Sequence, residues 1–87
     1  MLFYFGEEER AVFWMHDTPI SLDILFVTAA LRVVDIVNAA TPNSDRLLPS
    51  SQPVRYAVEV AAGTAADAGI RPGARLILPP GYPASCP

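Results

Sequence analysis

The most constraining feature of this chain is an alternation. Ile20, Leu22, Ile24 and Phe26 interleave with Ser21, Asp23, Leu25 and Val27. Successive side chains of an extended strand point to opposite faces, so a period of two puts the first four on one inward face. Turn chemistry precedes the run. In His16-Asp17-Thr18-Pro19, Asp and Thr can bond nearby backbone, and Pro restricts the residue before it. After the run, the β-branched stretch Val33-Val34-Asp35-Ile36-Val37 follows a short connection, which predicts an antiparallel hairpin.

The other segments agree with a β-rich chain. Residues 2–5 form an aromatic, apolar strand, followed by Gly6 and the triplet Glu7-Glu8-Glu9, read as a solvated turn. Residues 11–15 make a second short apolar run. Residues 38–53, with Pro42, Pro49 and Pro53, read as a long loop, and long ordered loops in compact domains are often functional. Alternation returns over residues 54–61, with Tyr56, Val58 and Val60 facing one way and Arg55, Ala57 and Glu59 the other. Thr64-Ala65-Ala66-Asp67 then fits a capping box opening a short helix that stops at Gly69. Pro72-Gly73 predicts a type II turn, and residues 74–78 a last strand. The fold class is mostly β, about six strands with one short helix. With 87 residues there is room for one domain, over residues 1–78, and a Pro-rich tail at 79–87. A chain of this size buries roughly 60–65% of its unfolded surface, so the core is thin.

Charge and composition exclude several classes. The net charge is −3, and the six basic residues are all Arg, scattered at positions 10, 32, 46, 55, 71 and 75. Nucleic-acid binding needs clustered cations on phosphates, so no nucleic-acid partner is expected. The longest apolar stretch, residues 20–32, is interrupted by Asp23 and Thr28 and falls short of the ~18 residues of a membrane span. Cys86, the single cysteine, lies in the tail and can form no internal disulfide. Gly63, Gly69 and Gly73 match neither phosphate-cradling spacing. No cofactor is expected.

The densest polar constellation is Trp14-Met15-His16-Asp17-Thr18, with Asp23 close behind. Trp14 offers an amphipathic ring suited to stacking on a sugar or an aromatic ligand. His16 oriented by Asp17 or Asp23, with Ser21 or Ser44 as nucleophile, would be needed for hydrolysis, but one His among scattered Ser is a chance expectation. His16, Asp17 and Asp23 could form a facial metal set, yet zinc and iron sites want a second His or Cys. Asp17 and Thr18 read as turn formers. Asp23 interrupts the strongest strand, and a buried carboxylate demands a partner. Arg55, or backbone amides of the long loop, would make it a structural clamp on that loop.

The stretch Phe13-Trp14-Met15-His16-Asp17-Thr18-Pro19-Ile20-Ser21-Leu22-Asp23-Ile24-Leu25-Phe26 resembles the signature of DUF192, a family of unknown function. Met1-Leu2-Phe3, Arg32-Val33-Val34, Arg55-Tyr56-Ala57-Val58-Glu59-Val60 and Gly69-Ile70-Arg71-Pro72-Gly73 follow the same family pattern in order. Pro42 and Ser44, with Ser50 or Ser51, echo its loop. The resemblance implies a compact β-barrel-like domain, often exported, periplasmic or lipoprotein-borne, with no established activity. It departs at His16 (usually Lys), Asp17 (usually Asn), Ser21 (usually Pro), Leu31 (often Gly) and Ala74 (usually Asp). Trp14, Thr18, Asp23, Arg55 and Glu59 match.

The resemblance also implies a preceding leader or strand, so the chain reads as N-terminally incomplete. It is expected to be periplasmic or secreted at full length and, without a signal peptide, cytoplasmic as it stands. The exposed edge left by a missing strand invites pairing with another chain, including an edge-strand homodimer. Trp14, His16, Asp17, Thr18, Asp23, Arg55 and Glu59 are the candidate binding residues. They suggest a binding or accessory domain of the bacterial cell envelope for a small polar ligand, a glycan or a partner protein. The alternatives are a hydrolase-like enzyme using Asp23, Glu59 and His16, and a purely structural module.

Overall fold

A computed structural model describes residues 1–78; the Pro-rich tail and Cys86 lie outside the described residues. Six strands and one short helix follow in order: β1 (Leu2–Glu9), β2 (Val12–Phe13), β3 (Leu22–Val27), β4 (Val33–Ala40), β5 (Leu48–Pro49), β6 (Val54–Ala61) and α1 (Thr64–Asp67). Four strands form one antiparallel sheet in the order β1-β6-β3-β4, and β2 and β5 pair as a separate two-stranded ribbon. Among the described residues the sheets do not close into a barrel, because β1 and β4 remain edges of an open sheet.

The alternation of β3 translates into two buried faces. Ile24 and Phe26 enter a cluster with Met15, Ala11 and Ala57, against which Phe13 and Leu48 of the ribbon pack. Leu25 and Val27 enter a second cluster with Val33, Tyr56 and Ala65, covered by Ile70, Leu76 and Leu78. Central position and two coverings explain why every residue from Asp23 to Val27 is buried. Full burial of each large apolar side chain here stabilises by roughly 1.5–3 kcal/mol. Aromatic edges stitch the first cluster: Phe13 lies 5.2 Å from Phe3 at 82° and 5.7 Å from Phe26 at 69°. Ile20 does not join the inward face; it sits in the bend before β3, 63% exposed.

Several segments differ from the sequence reading. The acidic triplet is not a turn but the end of β1. Tyr4 pairs with Tyr56 and Glu9 with Val54, so residues 5–8 bulge opposite the single residue Arg55. The expected last strand over residues 74–78 is reduced to one bridge, Arg75 with Arg32. The sixth strand is instead β5, inside the stretch read as loop, because Leu48 and Pro49 find a partner in β2. The helix starts one residue earlier than the capping box implies. Gly63, at φ 92°, is the N-cap, and the Thr64 side chain does not cap. Its other end matches expectation. Ile70 N–H donates to the Ala65 carbonyl (2.9 Å) and Gly69 N–H to that of Ala66 (3.1 Å), with Gly69 at φ 70°. Gly73, at φ 97°, and the Ala74 N–H to Arg71 carbonyl bond of 2.9 Å fit the type II turn.

Candidate functional site

Asp23 sits on β3 with only 1% of its surface exposed. Its carboxylate accepts three backbone hydrogen bonds: Ala39 N–H to Oδ1 (2.8 Å), and Gly63 N–H (3.1 Å) and Ala65 N–H (3.0 Å) to Oδ2. Each donor is presented for a local reason. Leu22 pairs with Ala40 and Ile24 with Val37, so β4 carries one extra residue opposite Asp23. That bulge holds Ala39 at φ 49° and turns its amide inward. Gly63 and Ala65 open α1, where the first amides of a helix lack internal partners. Asp23 therefore caps α1 from another strand. These bonds hold its carboxyl below the ordinary value of 3.8, the Ala39 amide most strongly, then Ala65, against burial, with Gly63 adding less.

The clamp is thus made by amides, not by Arg55. The β3–β6 register pairs Asp23 with Val60 and Val27 with Tyr56, which puts Arg55 on the opposite face of the sheet. Glu59 pairs with Ile24 and so also lies on that opposite face. The Arg55 Nε is buried and, among the described residues, without a hydrogen-bond partner.

A second cluster forms outside the sheet. Trp14, 52% exposed, stacks on His16 with ring centroids 4.6 Å apart and planes 21° from parallel. The two nitrogens of His16 face two carboxylates: Nδ1 lies 2.6 Å from Asp45 Oδ1, and Nε2 lies 3.2 Å from Asp17 Oδ2. All of these groups are substantially exposed. Backbone holds the frame. Met15 N–H donates to the Ser44 carbonyl (3.1 Å), Thr18 N–H to Met15 (3.1 Å) and Asn43 N–H to Thr18 (2.9 Å). Asp17 takes φ 54°, a conformation that Asp and Asn tolerate better than most residues. The Thr18 hydroxyl donates to the His16 carbonyl (3.2 Å), as a turn former would.

The structure thus joins Trp14, His16, Asp17 and Thr18, sets Asp23 in the interior, and puts Arg55 and Glu59 elsewhere on β6. The hydrolytic arrangement is not assembled. Both His16 nitrogens meet carboxylates, the Ser21 hydroxyl donates to the Ala40 carbonyl (2.8 Å), and that of Ser44 accepts from Arg46 N–H (3.1 Å). Among the described residues no group of three or more His, Cys, Asp or Glu side chains is placed to hold a metal ion.

Sequence reasoning missed Asp45 and the outer face of the ribbon. Val12 pairs with Pro49 and Phe13 with Leu48; Trp14 follows β2 directly and Leu47 directly precedes β5. Val12, Trp14, Leu47 and Pro49 are all exposed, an apolar strip next to the His16–Asp45 contact. The signal lay in the paired alternation of residues 12–15 and 47–49, hidden because the second half sits in a Pro-rich stretch.

An open antiparallel sheet covered by a ribbon on one face and a short helix on the other, with that helix capped by a buried strand carboxylate, defines the class. The chain belongs to the DUF192 family, described as an uncharacterised ACR, which it matches over residues 1–78. It is similar to a solved protein of unknown function from Novosphingobium aromaticivorans, with 39% identity, a TM-score of 0.83, and 86% of this chain and 54% of that one covered. It is equally similar to a solved Sinorhizobium meliloti protein described as a candidate transcription regulator, at 39% identity and TM-score 0.83, covering 86% of this chain and 58% of that one. The chain therefore spans little more than half the length of these two proteins. No curated protein matches it. The function of the family is unknown.

Proposed function

We propose that the chain is a binding module of the bacterial cell envelope whose ligand, a glycan, docks on the outer face of the β2–β5 ribbon. The observation that carries this reading is the exposed Trp14–His16 stack, rimmed by Asp17 and Asp45 and continued by Val12 and Leu47. An aromatic ring held by backbone hydrogen bonds on both sides of its turn is preorganised, which lowers the ordering cost of binding. Each carboxylate meets His16 through one oxygen and leaves the other to accept from sugar hydroxyls. An apolar platform with convergent polar acceptors suits a saccharide ring better than a flat protein surface. The envelope location rests on the family resemblance alone. No helix among the described residues is long and apolar enough to cross a membrane.

The test is a tryptophan-fluorescence and amide-NMR titration with envelope glycan fragments, on wild type and Trp14→Ala. Shifts at residues 12–17 and 45–49 that vanish in the variant, with its spectrum still dispersed, are expected. Unaltered binding by Trp14→Ala, or no shift with any glycan while a protein partner shifts the same amides, would overturn the reading.

A further inference from the structure

Between the end of β4, loop 41–47, Met15 and the ribbon residue Leu48 lies a cavity of about 180 Å³. Buried Met15 and half-buried Val37 and Leu48 contribute its apolar lining, and exposed Asn38, Thr41 and Arg46 its polar one. We propose that this cavity is a second binding site, separate from the Trp14 face, that takes a small aliphatic carboxylate: the carboxylate on Arg46, the hydrocarbon against Met15, Val37 and Leu48.

Size comes first. The volume corresponds to about six waters, below the roughly 300–1,000 Å³ of pockets for drug-sized ligands, so the occupant is residue-sized. Charge comes next. Among the described residues Arg46 is the single cation in the lining, and its guanidinium has no hydrogen-bond or ion-pair partner there. Guanidinium donors match a carboxylate in a two-bond fork. One cation balances one charge, which favours a monoanion over a phosphate dianion. Among the described residues the lining holds no Asp or Glu to receive an ammonium, which disfavours an amino acid. Asn38 and Thr41 can serve a hydroxyl on the ligand.

Ala39, which also lines the cavity, sits in the β4 bulge at φ 49° with its amide bonded to buried Asp23, so the β4 side of the wall is fixed before any ligand arrives. The thioether of Met15 adapts to the shape of an aliphatic chain.

The experiment is an amide-NMR titration of the full chain with 4-methylpentanoate, its neutral amide 4-methylpentanamide, and inorganic phosphate. It is repeated on Arg46→Gln, Arg46→Lys and Trp14→Ala. The carboxylate is expected to shift residues 37–41 and 44–48, with the amide and Arg46→Gln weaker by about tenfold or more and Arg46→Lys between. Trp14→Ala is expected to bind like wild type, so that failure of the glycan reading leaves this one standing, and the reverse. Equal binding of the neutral amide, tighter binding of phosphate, shifts confined to the Trp14 face, or no shift at the solubility limit would each overturn the proposal.

Discussion

Replacing Asp23 by Asn keeps shape and volume but removes the charge and one of two acceptor oxygens. Three amides now bond to the carboxylate: Ala39 on Oδ1, Gly63 and Ala65 on Oδ2. The best Asn rotamer keeps its oxygen at the Oδ2 position and turns its NH₂ against the Ala39 N–H, donor against donor. Losing that bond and stranding the amide costs ~1–3 kcal/mol. Weakening the other two from charge-assisted to neutral costs roughly 0.5–1 kcal/mol each. Relief of the buried charge offsets part of this, leaving about 3 kcal/mol. A domain of this length has roughly 5–10 kcal/mol in all, and at ~4–8 °C per kcal/mol the Tm should fall by about 12–24 °C.

The pH dependence provides a second readout. The folded carboxyl lies below 3.8, so the unfolded chain takes up the proton first as pH falls. The stabilisation is complete above roughly pH 5 and is lost as pH drops through 3.8 toward the folded value. Urea unfolding of both proteins at pH 7 and at steps below pH 5 should show a gap that narrows with acid. An Asn variant within about 0.5 kcal/mol of wild type at pH 7, or a gap that stays constant in acid, would refute the argument that charge-assisted capping holds β4 and α1 to β3.

Two further outcomes are expected. Met15→Ala, at a position 1% exposed in the first core cluster, should cost about 2–5 kcal/mol in urea unfolding, while Trp14→Ala next to it, half exposed, should cost under about 1 kcal/mol. Ser50→Ala should cost about 1–3 kcal/mol by thermal unfolding, since the buried hydroxyl accepts from Ala11 N–H (3.0 Å) and donates to the Gln52 carbonyl (2.8 Å).

The legible parts of the fold were those written in local pattern. The run at β3, the β-branched run of β4 and the alternation of β6 each became a strand because their apolar side chains pack into the two core clusters. Gly69 and Gly73 likewise announced the left-handed positions they occupy. The acidic end of β1 and the Leu48–Pro49 strand were not legible, because propensity argued against both and only pairing with β6 and β2 made them extended. The Pro-rich stretch is held by contacts distant in sequence. Asp35 accepts from the Ser51 amide (2.8 Å) and hydroxyl, and Ser50 ties the loop to Ala11.

The sequence by itself determined that this is a mostly-β chain, that Asp23 must be satisfied where a strand buries it, and that a turn over His16 to Pro19 follows the apolar run ending at Met15. Period and turn chemistry act over a few residues, and the unfolded chain already carries them. Tertiary structure alone decided who satisfies Asp23, bringing Ala39, Gly63 and Ala65 together from 16, 40 and 42 residues away. It also decided that Asp45 closes on His16 across 29 residues. Such partners are selected by sheet register and loop docking, where each choice depends on every other strand already being in place.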